Sequence, residues 1–406
     1  SWTIAERLTL NLGFRYDRST AHWATPGQDA FTFNDYTGRL FGTYDLTGDG
    51  KTVIKGGWGR YYDALHGNIY DDFDPSLPSR AFYVFNTGLG GGCGQPVSGF
   101  PNVGGGPECF EGTEASNVDV VSINDPNATI GIDPGINNKY VNLAYVGFER
   151  EIAADVSVGV TYIRKSDGNL FAGRDDQSVY APTTVEDPGT GQTISAFERI
   201  TPSSQEFRVL TNRDDIYFRD YNGFELRLQK RFRNNWQFLG SWTIQKAEGT
   251  HDNNAAAPGL NDSLRGANPN DLINADGELL NSRRNVLKLQ GSYRIPGADV
   301  LLSALYGFQS GRTYNRILRA RLPQRVDILL DPRGSYRMPE RSELDIHVEK
   351  FFRFGANQEL GILVDAFNLF NDDAYTFVNE TSGDNFGDPT EVIEPRKLQV
   401  GIRFSF

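Results

Sequence analysis

The ten residues Lys397-Leu-Gln-Val-Gly-Ile-Arg-Phe-Ser-Phe406 alternate without a break. Leu398, Val400, Ile402, Phe404 and Phe406 fall on one side, Lys397, Gln399, Gly401, Arg403 and Ser405 on the other. Period two is the mark of a β-strand with one apolar and one polar face. The arithmetic repeats upstream. Leu8, Leu10, Leu12, Phe14 and Tyr16 interleave with Thr9, Asn11, Gly13, Arg15 and Asp17, and Phe224, Leu226 and Leu228 with Glu225, Arg227 and Gln229. Leu344, Ile346 and Val348 interleave with Asp345, His347 and Glu349, and Trp236, Phe238, Gly240, Trp242 and Ile244 form one more such face.

Twelve strands follow from this pattern, near residues 6–17, 36–46, 51–62, 139–152, 155–166, 220–232, 236–248, 284–295, 299–310, 341–353, 358–369 and 396–406. Their connections alternate in length. Leu46–Gly50, Ala153–Ala154, Arg233–Asn235, Pro296–Ala298 and Gly355–Asn357 are tight turns, while long segments follow the odd strands, the largest over 63–138. Short turns at one end and long loops at the other are the layout of a transmembrane antiparallel β-barrel of the outer membrane. The fold class is therefore all-β, with residues 1–406 as a barrel segment and 63–138 as a large extracellular loop within it. The polar face carries Arg, Lys, Glu and Gln, which suits a hydrated lumen better than a dry core. Tyr16, Tyr44, Tyr61, Tyr62, Phe232, Trp236, Tyr293, Tyr306, Phe351 and Phe352 stand at strand ends, where they fit interfacial girdles or cross-strand packing.

Composition agrees. Apolar residues make up 38% and aromatics 12%, Gly is abundant at 44, and the mean hydropathy is low, at -0.46. A spanning strand exposes only every second residue to lipid, so its hydropathy averages out, and no apolar run reaches the ~18 residues of a membrane helix. The net charge of -12 disfavours nucleic acid as a partner, because phosphate binding needs a basic surface. Acidic groups such as Asp71, Asp72 and Asp74 sit in the loops, as a solvated surface or as calcium ligands. Cys93 and Cys109, with 15 residues between them in a Gly/Pro-rich stretch, fit a disulfide of an oxidising compartment. Closing such a loop stabilises by roughly 3 kcal/mol in the chain-entropy account. Ser1 opens no signal peptide, so the chain is expected to begin inside a longer one.

No sequence motif carries catalytic or ligand chemistry. Asp45-Leu-Thr-Gly-Asp-Gly-Lys51 imitates the start of an EF-hand, but position 12 is Gly56 and flanking helices are missing; it is a hairpin turn with Asp49-Gly50 at positive φ. Gly88-Leu-Gly-Gly-Gly-Cys-Gly94 precedes neither Lys-Ser/Thr nor a helix and is no phosphate cradle. The histidines His22, His66, His251 and His347 share no local setting, and Asp345 with Glu349 reads as part of a charge ladder rather than an acid/base pair. No catalytic, cofactor-binding or metal-binding residue is assigned, and the chain is not read as an enzyme.

Several segments resemble the barrel of TonB-dependent receptors of the Oar-like group, whose members carry a carboxypeptidase-regulatory-like domain. They are Tyr36 to Thr52, Trp58-Gly-Arg-Tyr-Tyr62, Gly147-Phe-Glu-Arg150 within Tyr140–Arg150, Asn270-Asp-Leu-Ile-Asn-Ala-Asp-Gly277 with Arg283-Arg284, Asp365-Ala-Phe-Asn-Leu-Phe-Asn371, and terminal Phe406. The resemblance implies the C-terminal portion, about strands 11 to 22, of a 22-stranded barrel in a Gram-negative outer membrane. It also implies a transport role, with import of an unidentified substrate driven by the TonB complex through a plug that this chain lacks. Outer-membrane lipid and the barrel-assembly machinery are further implied partners, the latter reading Phe406. Candidate ligand contacts are the loop aromatics Tyr70, Phe73, Phe82, Tyr83, Phe85 and Phe100, which otherwise pack the loop on itself. The competing functions are a stand-alone passive porin and a surface adhesin or secretion-related barrel.

Overall fold

The computed structural model describes residues 2–4, 6–23, 29–64, 130–202, 207–250, 266–280, 282–354 and 358–406, and the backbone course of 80–85 and 118–124. One antiparallel sheet organises them. Its strands are β1 (Trp2–Ile4), β2 (Leu8–His22), β3 (Asp29–Asp45), β4 (Thr52–Tyr62), β5 (Tyr140–Ala153), β6 (Val156–Gly168) and β7 (Arg219–Arg233). They continue as β8 (Trp236–Gly249), β9 (Asn285–Ile295), β10 (Val300–Gln309), β11 (Arg341–Phe354), β12 (Gln358–Phe367) and β13 (Lys397–Ser405). Neighbours in sequence are neighbours in the sheet, and the short strand Gly277–Glu278 adds beside β8.

Strands β2 to β13 are the twelve expected from the alternation. β1 was not anticipated, and β2 and β3 run further than the apolar pattern does, pairing out to Thr20 and Thr32 and beyond. The reason is that strand pairing needs no apolar side chains once it rises above lipid. The long connections also hold secondary hairpins, including Tyr180–Glu186 with Thr193–Arg199 and Ile317–Arg321 with Arg325–Leu329.

Register fixes which side chains share a face. Leu12, Leu40, Trp58 and Ala144 are successive cross-strand partners, as are Val364 and Val400. Outward apolar groups are left bare to a degree a soluble surface does not sustain: Leu12 is 67% exposed, Phe14 75% and Ile402 74%. Lipid is the solvent that makes this favourable. The inner face is less uniformly charged than the sequence pattern implied, since Leu143, Tyr145, Leu239, Leu305 and Leu363 also point inward.

The turn after β3 is a hairpin, with one correction. Gly48 and Gly50, not Asp49, take the positive φ values of 78° and 74°. Asp45 holds it, its carboxylate accepting backbone N–H bonds from Thr47, Gly48 and Gly50 at 3.2, 2.9 and 2.7 Å. That use of the carboxylate explains the likeness to a cation loop.

Candidate functional site: inner wall and extracellular cap

Two rows of directly paired residues cross the inner face. One runs Gln229, Leu239, Gln290, Leu305, Asp345; the next runs Gln237, Ser292, Ser303, His347, Asp365. Together they line a cavity of about 650 Å³. The acidic end of this wall is held within itself. His347 Nδ1 lies 2.6 Å from Asp365 Oδ1, and its Nε2 lies 3.6 Å from Glu349. Arg403 reaches the almost fully buried Glu349 at 3.4 Å, and Asp345 accepts the Asn368 N–H at 2.9 Å. Glu349 thus joins the expected ladder with an arginine, whereas Asp345 does not. The sequence pattern alone does not single out His347. The signal was its place between Asp345 and Glu349 at inward spacing, but the hairpin register to Asp365 was needed to see it.

Above the wall the loops interlock. Asp187, in the turn of one hairpin, accepts from the Arg316 guanidinium and the Ser382 hydroxyl, which belong to two other loops, and from Thr190 at 2.6 Å. Burial pushes the Asp187 carboxyl up, but the bonds from Ser382, Thr190 and the Gly189 N–H, with the Arg316 charge, hold it below the usual carboxylate range. Glu278 behaves alike: burial opposes ionisation and Arg337, Arg284 and Ser282 prevail. Asn270 is 1% exposed because its amide pairs with both backbone groups of Phe197, at 2.8 and 2.7 Å, like a strand neighbour. Tyr314 stacks on Tyr336, Phe386 packs tilted against the first and edge-on to the second, and Arg316 lies over the Phe386 ring.

Of the residues singled out from sequence, Tyr70, Phe73, Phe100, Cys93 and Cys109 lie outside the described residues. Phe82, Tyr83 and Phe85 fall on a strand, Arg80–Phe85, that pairs with Val118–Asn124. Their side chains are likewise outside the description. Phe406 is 93% exposed on the outward side and stacks on Phe404 at 6.0 Å.

An antiparallel sheet that is apolar outside, polar inside, tightly turned at one end and capped by loops at the other defines an integral outer-membrane β-barrel. The chain belongs to the outer membrane beta barrel domain family, which it matches over residues 35–311. It is similar to the TonB-dependent transporter Oar of Myxococcus xanthus, at 25% identity over 94% of this chain and 36% of that protein. In three dimensions it is similar to the outer membrane transporter YddB of Escherichia coli (TM-score 0.58, 10% identity, 100% of this chain and 44% of the other). The ferric-catecholate import receptor Fiu of the same organism gives a TM-score of 0.51 at 13% identity, over 98% of this chain and 42% of the other. The chain therefore spans well under half the length of these relatives. They are transport proteins of the outer membrane, not enzymes.

Proposed function

We propose that this chain is part of the 22-stranded barrel wall of a TonB-dependent transporter, importing its substrate with energy relayed from the inner membrane. The observation that carries the reading is the inner face. Its Gln, Ser, His and Asp rows suit contact with water and with a polar plug, and the side chains of its acidic end find partners inside the wall. The interlocked loops supply a firm extracellular surface on which a substrate is captured before it enters. A siderophore is one candidate substrate, supported by the ferric-catecholate receptor among the structural neighbours; the Oar similarity favours no cargo by itself.

The test is uptake in cells that carry the protein at its native length. Loss of accumulation on dissipating the inner-membrane proton gradient supports energised import. Uptake that continues unchanged after that treatment refutes it and favours the passive porin.

A further inference from the structure

The outward face changes character at one level. On four ascending strands, the first outward residue beyond the lipid-facing run is a cation: Arg18 after Tyr16, Arg60 after Trp58, Arg164 after Tyr162, and Lys246 after Ile244. On the descending strands between them the same level holds asparagine. Asn34 pairs with Arg18, Asn142 with Arg60, and Asn222 with both Arg164 and Lys246. The run from the short-turn end is eight residues on β4 (Thr52 to Arg60) and β6 (Val156 to Arg164), and ten on β2 (Leu8 to Arg18) and β8 (Trp236 to Lys246). At a strand rise of ~3.4 Å and a barrel tilt of ~40°, these runs climb roughly 21 to 26 Å, which matches the ~25 Å height of an outer-membrane apolar band. The band of cations and amides therefore lies at headgroup level of the outer leaflet.

Its polar groups are set as donors. Asn34 Oδ1 accepts the Tyr16 hydroxyl at 2.8 Å, Asn222 Oδ1 accepts the Tyr162 hydroxyl at 2.8 Å, and Asn142 Oδ1 accepts Arg60 Nε at 3.0 Å. The carbonyl side of each of these three amides is thus occupied from within, and the NH₂ side has no hydrogen-bond partner among the described residues. Arg60 is further fixed over the Tyr140 ring at 3.8 Å, and its terminal nitrogens have no hydrogen-bond partner among the described residues. Arg18 and Arg164 are exposed and have no ion-pair partner among the described residues. Acid enters only one outward position higher, at Asp220 and at Glu248, and Glu248 engages Lys246. Lys246 is therefore spent locally, and three arginines remain.

We infer that Arg18, Arg60 and Arg164, with Asn34, Asn142 and Asn222, form a docking band for phosphate groups of outer-leaflet lipid. A guanidinium matches a phosphate with two parallel hydrogen bonds, and the apolar residues directly below would seat the acyl chains of the same lipid. A basic side chain at a lipid surface strengthens binding of an anionic headgroup about fivefold.

The experiment compares the protein, purified at native length from outer membranes, with an Arg18→Gln/Arg60→Gln/Arg164→Gln variant and with a lumenal control, Arg15→Gln/Arg227→Gln/Lys288→Gln. Phosphate-bearing lipid retained per protein after gel filtration is measured by mass spectrometry. The outward variant should retain at least fivefold less, and the lumenal control should match wild type. Equal retention by wild type and outward variant, or an equal fall in the control, overturns the inference. Should the triple variant fail to assemble, wild-type protein is reconstituted with the same lipid before and after enzymatic removal of its phosphates. Retention must then fall with dephosphorylation, and unchanged retention is the refuting result.

Discussion

Replacing Asp187 by alanine should release the extracellular cap without unfolding the barrel. The side chain is 2% exposed, and it ties its own hairpin to Arg316, 16% exposed, and to Ser382 in a third loop. Truncation leaves the Arg316 charge buried without its carboxylate, and breaking a buried pair from one side costs about 3–5 kcal/mol. Asp187→Asn keeps the shape and part of the bonding but not the charge, so about 1.5–3 kcal/mol is expected there. At about 1.4 kcal/mol per tenfold, the alanine variant should open the loops at least ~100 times more often. Amide hydrogen exchange at neutral pH reads this directly over residues 180–199 and 313–322. β9 to β12 should exchange as in wild type. Exchange raised less than threefold in the loops, or raised equally in the strands, would refute the clamp. The pH dependence follows from the lowered carboxyl. Its stabilisation is complete above the unfolded value of ~3.9 and is lost as pH falls through the lower folded value, so wild type should loosen only in strong acid. The asparagine variant should lack that acid step.

Lys230 occupies an outward position but folds back, donating to the carbonyls of Arg231 and Arg233 at 2.8 and 3.0 Å over the Trp236 ring; Lys230→Met should lower barrel stability by about 1–3 kcal/mol in urea titrations, and no shift in midpoint would refute the turn-capping role. Gly57 lies inward between Phe41 and Tyr145, whose rings stack at 5.8 Å, and an added Cβ would sit 2.4 Å from the Leu40 carbonyl oxygen. Gly57→Val should therefore cost about 1–3 kcal/mol in the same titration. Deleting Phe406 should reduce the heat-modifiable, assembled fraction in outer membranes, whereas an unchanged fraction would mean that the residue is only a lipid contact. A non-reducing peptide map should contain a Cys93–Cys109 link, and two free thiols there would remove the disulfide.

How far the sequence alone reaches depends on which solvent a residue faces. Lipid offers no hydrogen bonds, so every outward position between the interfaces is held to apolar groups, and that constraint is written locally. Leu398, Val400, Ile402 and Phe404 can be read in ten residues, and the tight turns then set the phase of each hairpin. The cations Arg18, Arg60 and Arg164 were legible by the same rule, as the points where the outward series stops being apolar. The inner wall obeys no such rule. Water and protein both satisfy it, so Leu239 and Leu305 alternate in one row with Gln229, Gln290 and Asp345, and composition does not mark the cavity they line. The cap is further from sequence still. Asp187 meets Ser382 across 195 residues, and Asn270 meets Phe197 across 73, through single side-chain bonds that have no period. A strand can be inferred from its neighbours in the chain; a clamp between loops exists only after the strands beneath have fixed where the loops begin.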